Sequence, residues 1–392
     1  MKYPFFLLLL AILILATGCS PGTEGIFASI EREQKVQSLG GMNKYATITS
    51  MAELTASTPH RYFATGGRAL FTRPLGAVQW DQMKVGGNAE ILSVGSVTDA
   101  LGTGKAVFAI AGGTLWQNTN GTEAGWTSVF STIASGGDTP VTLIPIRSTD
   151  GKWSQELLVV TTNVSNSYQN VYRINTTDGT TMNVTAPLNL ASAAGMGTLS
   201  TGVTSAATDG TNYYLVNQSF LWTVNSSFTS ATKITVSGVD HVAYQGVLYL
   251  GTTLYLSTMS NAGSGGGLYT VGSPSGGGFS FGKLTSDSTE VDKNSYPVWF
   301  TQFLYNQRNT SIWIATYSST YTQGTGYMEY SSGTLHTTPI TSENNYNSTV
   351  LPTSAVGVLF ADYEGPNYFL GTLSQGLWQW SGTGSSATWV QQ

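Results

Sequence analysis

The side chains able to do chemistry are few and scattered. His60, His241 and His336 are the only imidazoles. Each lies in a different stretch with no second ligand at metal-binding spacing, so no metal cluster is expected. Asp240 precedes His241 and would orient it as a base, although Asp-His at the entry of a strand reads first as a turn pair. Glycoside hydrolysis takes two carboxylates facing each other across a cleft. Glu90, Asp240, Asp292 and Glu364 are candidates, and no spacing selects a pair among them. Gly263–Gly267 and Gly276–Gly278 lack the strand-to-helix setting and the Lys of a phosphate-binding loop, and they read as connections. No catalytic, metal or cofactor constellation emerges.

The one reactive group with a distinctive setting is the thiol of Cys19, the single Cys in the chain. It excludes an intramolecular disulfide and any thiolate cluster. Ahead of it lie Lys2, an apolar run from Phe5 to Ala16, and Ala16-Thr17-Gly18. The run is shorter than the roughly twenty residues that cross a bilayer. A charged start, a short apolar stretch and small residues before a cut form an export signal. With Cys following directly, residues 1–18 resemble a bacterial lipoprotein signal peptide; Ala16 stands where that family usually has Leu. The resemblance implies cleavage before Cys19 and diacylglycerol plus a further acyl chain such as palmitate on that residue. One acyl chain binds a membrane only marginally and two or more hold it. The expected location is the cell envelope, lipid-anchored to a bacterial membrane, with the outer membrane or cell surface favoured.

Composition narrows the rest. Charged residues make up 9% of the chain, against roughly 25% in ordinary soluble domains. Ser, Thr, Asn, Gln and Gly must therefore supply the polar surface, and 46 Gly with 20 Tyr and 10 Trp suit short strands joined by tight turns. The net charge of −5 and the scattered Lys and Arg exclude a nucleic-acid-binding face. Arg61, Arg68, Arg73 and Lys84 share one stretch and read as solvated strand and loop positions.

These residues sit on a repeat. A short strand with a large apolar residue recurs as Ala69-Leu70-Phe71, Thr114-Leu115-Trp116, Asn170-Val171-Tyr172, Phe220-Leu221-Trp222, Gly267-Leu268-Tyr269, Gly326-Tyr327-Met328 and Gly376-Leu377-Trp378. The step is about fifty residues, in the range of propeller blades. Strand-like runs precede each copy, such as Leu157–Thr161 and Tyr368–Thr372, and a fourth follows, such as Val78–Val85, Thr232–Val236 or Thr388–Gln392. The pattern predicts an all-β fold, a single β-propeller of about seven four-stranded blades over residues 45–392. Six or eight blades, or stacked β-sandwiches, are the alternatives. Residues 19–44 are the lipidated Cys and a tether or edge segment, with Gly25–Ser29 resembling one more strand copy. The last unit has four strands of its own, so the ring is expected to close by packing alone, through Trp378, Trp380 and Trp389.

Family resemblances add little chemistry. Ser148-Thr149-Asp150-Gly151-Lys152-Trp153 and Thr177-Asp178-Gly179-Thr180 approach the Asp-box of sialidase-type propellers, one residue short, and read as hairpin turns. Tyr172-Arg173-Ile174-Asn175 resembles the sialidase Tyr-Arg-Ile-Pro element, whose Arg grips a substrate carboxylate, but it ends in Asn and sits in the third unit. Propeller-type outer-membrane assembly lipoproteins and photosystem assembly factors share features with this chain but not their signature residues. The resemblance is to propeller lipoproteins as a class. It implies a non-catalytic binding or scaffolding module with a protein or glycan partner, since loops on a rigid frame carry recognition. The alternative is a carbohydrate-active enzyme working from a central pocket.

Overall fold

The computed structural model describes residues 42–98, 104–129, 133, 137–147, 153–176, 182–239, 243–259, 267–272, 278–284, 299–306, 310–317, 326–336, 356–362, 367–381 and 388–392. Among the described residues, five antiparallel four-stranded sheets and one larger sheet that joins two further such units make seven units in succession along the chain, each with its main strands in chain order. Their inner strands are Met51–Leu54, Ile91–Thr98, Thr139–Arg147, Ser205–Thr208, Ala243–Leu250, Trp299–Asn306 and Val356–Ala361. All seven recurring aromatic segments fall on third strands, from Ala69–Pro74 in blade 1 to Leu377–Ser381 in blade 7. The fold is a seven-bladed β-propeller.

Burial on both faces explains why the strands read as continuous apolar runs. Successive residues of a strand point to opposite sides. In the second strand of blade 3, Trp153–Thr162, Leu157 and Val159 pack toward blade 2, while Leu158 and Val160 pack toward blade 4. In blade 4, Tyr213 and Leu215 face blade 3, and Tyr214 and Val216 face blade 5. The core is thus a ring of apolar layers between neighbouring blades, and no blade has a core of its own.

Polar side chains connect the blades around the axis. Inner strands present backbone N–H groups that need acceptors once buried. Ser50 Oγ accepts from Val94 N at 2.9 Å, Ser93 Oγ from Leu143 N at 3.1 Å and Ser205 Oγ from Val247 N at 3.1 Å. Gln302 Oε1 accepts from Leu359 N at 3.2 Å, and Arg147 and Ala207 pair directly as a parallel bridge between blades 3 and 4. Each contact joins one blade to the next.

A second recurring device closes the hairpins of blades 3, 5 and 7. Thr161, Thr258 and Thr372, all fully buried at the ends of second strands, donate Oγ1 to the carbonyls of Asn170, Gly267 and Gly376. Several Asn-x-Ser/Thr triplets are turn devices as well. Asn163 Oδ1 accepts from the backbone of Ser165 and Ser167, Asn217 Oδ1 from Ser219 and Phe220, and Asn225 Oδ1 from Thr229 and Ser230. Such local bonds are what favour Asn in turns.

The ring closes differently from the expectation. Blade 7 is built wholly from Val356–Ala361, Tyr368–Thr372, Leu377–Ser381 and Thr388–Gln391. Trp380 and Trp389, however, are buried on the blade 6 side against Trp313 and Tyr327, and Trp378 packs there too. The seam with blade 1 is made by Val358, Phe360, Phe369 and Leu377 against Ile48, Met51, Tyr62 and Trp80. Nor is packing alone. Ile48 N donates to Thr372 O at 2.8 Å, Gly376 N to Ala46 O at 3.1 Å and Gln391 Nε2 to Lys44 O at 2.7 Å. The stretch preceding the first blade therefore lies along the last one.

Two fourth strands are also shorter than expected. Asp81–Met83 replaces Val78–Val85, and blade 4 ends at Ala231–Lys233. Thr235–Ser237 instead pairs in parallel with Gly278–Ser280 of blade 5. Cys19 and Gly25–Ser29 lie outside the described residues, and among those described no helix is long and apolar enough to cross a membrane.

Candidate functional site

The inner strands of all seven blades enclose one axial cavity of about 170 Å³. Thr49, Thr142 and Thr204 are exposed lining residues, each from a different blade. Ser50, Ser205 and Gln302 add polar groups, and Val94, Val247, Phe303 and Val358 make the walls apolar. Arg147, the last residue of its inner strand, also lines the cavity. Among the described lining residues its charge is the only formal one. Burial desolvates the guanidinium and lowers its pKa to about 10, which leaves it charged at neutral pH.

The residues singled out from sequence lie elsewhere. Glu90 is exposed and forms an ion pair with exposed Arg68. His60 Nε2 lies 3.4 Å from Glu53 Oε2 within blade 1. Asp240, His241, Asp292 and Glu364 lie outside the described residues, as do Ser148–Lys152, Thr177–Thr180 and the side chain of His336. Among the described residues no group of three His, Cys, Asp or Glu could hold a metal ion.

Two arginines prove to be joints between blades. Arg73 is buried, not solvated: its guanidinium lies 4.9 Å from the Trp80 ring and 5.2 Å from Phe369, and it donates to Gln379 and Gln392 of blade 7. Beside it Tyr62 OH donates to Asp362 Oδ2 at 2.6 Å, bonding the first blade to the last. Arg173, the residue in the sialidase-like element, donates to Glu156, Tyr213 OH and the Ser226 carbonyl, and lies 5.2 Å from the Phe228 ring. Burial pushes the Glu156 carboxyl above its ordinary range, with the Tyr213 hydrogen bond and Arg173 pulling it back in part. This buried joint of blades 3 and 4 is not among the residues lining the axial cavity, so Arg173 does not play the sialidase role there.

The cavity residues gave little sign in the sequence. Ser50, Arg147, Ser205 and Gln302 lie on or just before inner strands of four units, and only closure of the ring brings them together.

No protein-family model matches the sequence, and no curated protein matches it. Solved structures do match, at low identity. YCF48 from Cyanidioschyzon merolae superposes with a TM-score of 0.57 at 12% identity, over 87% of this chain and 97% of that one. A YCF48 bound to D1 peptide gives 0.55 at 13% identity, covering 88% and 94%. An ancestral GH74 enzyme gives 0.59 at 10% identity, over 89% of this chain but 47% of that one. These likenesses bear on the fold. The chain is a β-propeller.

Proposed function

We propose that this protein is a lipid-anchored propeller of the bacterial cell envelope that binds a partner and catalyses no reaction. The observation that carries the binding half is the axial cavity. Its described lining offers hydroxyls, an amide and one guanidinium, groups that recognise a ligand by hydrogen bonding and charge. Hydrolysis of a glycoside would call for two convergent carboxylates, and none is among the described lining residues. A propeller of similar fold bound to a peptide supports a protein partner as one use of such a frame. The anchoring half rests on Cys19 and the signal-like residues ahead of it.

Expression of wild type and Cys19→Ala, followed by fractionation and detergent partitioning, tests the anchor. Wild type is expected with the membranes and the variant in the soluble fraction. If the variant stays with the membranes, the anchor reading is wrong. Incubation of the purified protein with a panel of aryl glycosides is expected to release no sugar; turnover would make the propeller an enzyme.

A further inference from the structure

We propose that the face of the ring bearing the hairpins between second and third strands lies against the lipid bilayer, with its apolar tips seated among the headgroups. This rests on the lipid anchor proposed above and gives the anchored ring an orientation. Neighbouring strands of a blade are antiparallel, so inner strands begin on the same face on which second strands end. Five of the eight large hydrophobics exposed among the described residues fall there. Val164, in the turn at residues 163–167 of blade 3, is 89% exposed, and Tyr45, just ahead of blade 1, is 60% exposed. Leu92 lies near the start of the inner strand of blade 2, and Leu373 lies in the blade 7 hairpin. Met196 stands three residues before Leu199, whose N–H donates to Tyr168 O at the foot of the blade 3 hairpin. Apolar residues scattered singly are ordinary on a surface, whereas a one-sided set calls for a partner.

The partner is a lipid surface because the chain leads from the anchor to this face. Residues 44–48 run along the hairpins of blades 1 and 7. Gly67 N donates to Thr47 O at 2.9 Å, Thr47 Oγ1 to Leu373 O at 2.7 Å and Gly376 N to Ala46 O at 3.1 Å. Cys19 precedes Met42 by 23 residues, so the route from the lipid enters the ring beside Tyr45 and Leu373. The charge of the face suits the same partner. Among the described residues of its hairpins, of the inner-strand entries and of the stretch ahead of blade 1, the formal charges are Lys44, Arg68, Glu90 and Asp138. Arg68 pairs with Glu90, and buried Asp138 accepts from Asn170 Nδ2 and Tyr172 OH. That leaves the Lys44 ammonium, 5.0 Å from the centre of the Tyr45 ring. Tyrosine sits at headgroup level in membrane interfaces, and lysine there meets anionic headgroups. Apolar side chains at that level add to binding with the area they bury. The opposite face is then presented to solution.

The test uses the mature lipoprotein, purified from membranes and reconstituted in vesicles of phosphatidylethanolamine and phosphatidylglycerol. Cys19 is the single Cys and acylation blocks its sulfur, so Val164→Cys and Val78→Cys each supply one free thiol for a nitrobenzoxadiazole label. Val78 is the matched control: it is 88% exposed and lies between the third and fourth strands of blade 1, on the opposite face. The six residues of that third strand, at about 3.3 Å each, set it roughly 20 Å from the hairpin face. A nitroxide on the lipid acyl chain near the headgroup then reports which label lies at the bilayer. Quenching at Val164 is expected to exceed that at Val78 by about threefold or more, since interfacial apolar groups sit about 5–10 Å into the headgroup boundary. Leu373→Cys should behave as Val164→Cys does. Thermal unfolding checks each labelled variant, and if Val164→Cys is misfolded, Leu373→Cys carries the comparison. Equal quenching on the two faces, or stronger quenching at Val78, overturns the proposal; weak quenching at both is the result for a face that takes a protein instead. The intact mass of the same preparation separates this from the anchor. With Cys19 acylated, either of those results removes the orientation alone, whereas an unmodified Cys19 removes the anchor and the orientation with it.

Discussion

Truncation of Phe369 should open the ring at its seam. The side chain is fully buried between the last and first blades, with its ring 5.1 Å from Tyr62, 6.3 Å from Trp80 and 6.1 Å from Phe360. Phe369→Ala removes on the order of 150 Å² of buried apolar surface, or about 4 kcal/mol at roughly 25 cal/mol per Å². The Arg73 guanidinium, 5.2 Å from the ring, loses one of its aromatic partners as well. That adds about 1 kcal/mol for a desolvated cation. A loss near 5 kcal/mol compares with the 5–15 kcal/mol by which domains are stable. Because each blade is buried by its neighbours, the defect should lower the stability of the whole ring. Urea unfolding followed by tryptophan fluorescence reads it, with Trp80 as a probe beside the site. Trp378→Ala is the control: it is half-buried on the blade 6 side, with its indole N–H bonded to Gln375 O. Its cost should be less than half as large. A Phe369→Ala cost below about 1 kcal/mol, or one smaller than that of Trp378→Ala, would refute this assignment of the seam.

Two further outcomes test the same joints. A Cβ on Gly357 would lie 2.2 Å from the Ile48 carbonyl oxygen, so Gly357→Ala must displace the preceding stretch; a loss of about 1–3 kcal/mol in urea unfolding is expected, and a neutral effect would contradict the close approach. Tyr62, Tyr172, Tyr213 and Tyr214 are each raised above the usual phenol pKa by burial, and by hydrogen bonds to Asp362, Asp138, Glu156 and Asp209. The folded state therefore holds these protons above pH 10, where the unfolded chain releases them, so stability falls as pH rises beyond about 10. Absorbance at 295 nm should show these four ionising only together with unfolding. Their titration in a chain that remains folded would contradict the buried hydrogen bonds.

The architecture was legible because the second strands of the blades are buried on both sides. Leu157–Thr161 and Tyr368–Thr372 stand out as apolar runs, and the third strands carry a large residue at a steady step. Which neighbour a side chain faces was not legible. Leu377 packs on blade 1 while Trp378 and Trp380 pack on blade 6, a matter of strand parity, and residue size pointed to the tryptophans instead. Arg73 and Arg173 likewise resemble surface cations until partners arrive from a neighbouring blade, Gln379 and Gln392 for Arg73 and the Tyr213 hydroxyl and Ser226 carbonyl for Arg173. The buried Thr at the end of the second strand, seen in Thr161, Thr258 and Thr372, was a readable part of the repeat. Its role becomes visible only once its bond to the third strand is known. The axial cavity left little trace, because its polar residues are single positions on strands far apart in sequence.

The anchor is the claim on which location and function both depend, and the intact mass of protein extracted from membranes tests it most directly. The expected species begins at Cys19, lacks residues 1–18, and carries the added mass of a diacylglyceryl group, with or without a third acyl chain. A polypeptide still beginning at Met1, or one cut at another position with an unmodified Cys19, would contradict it.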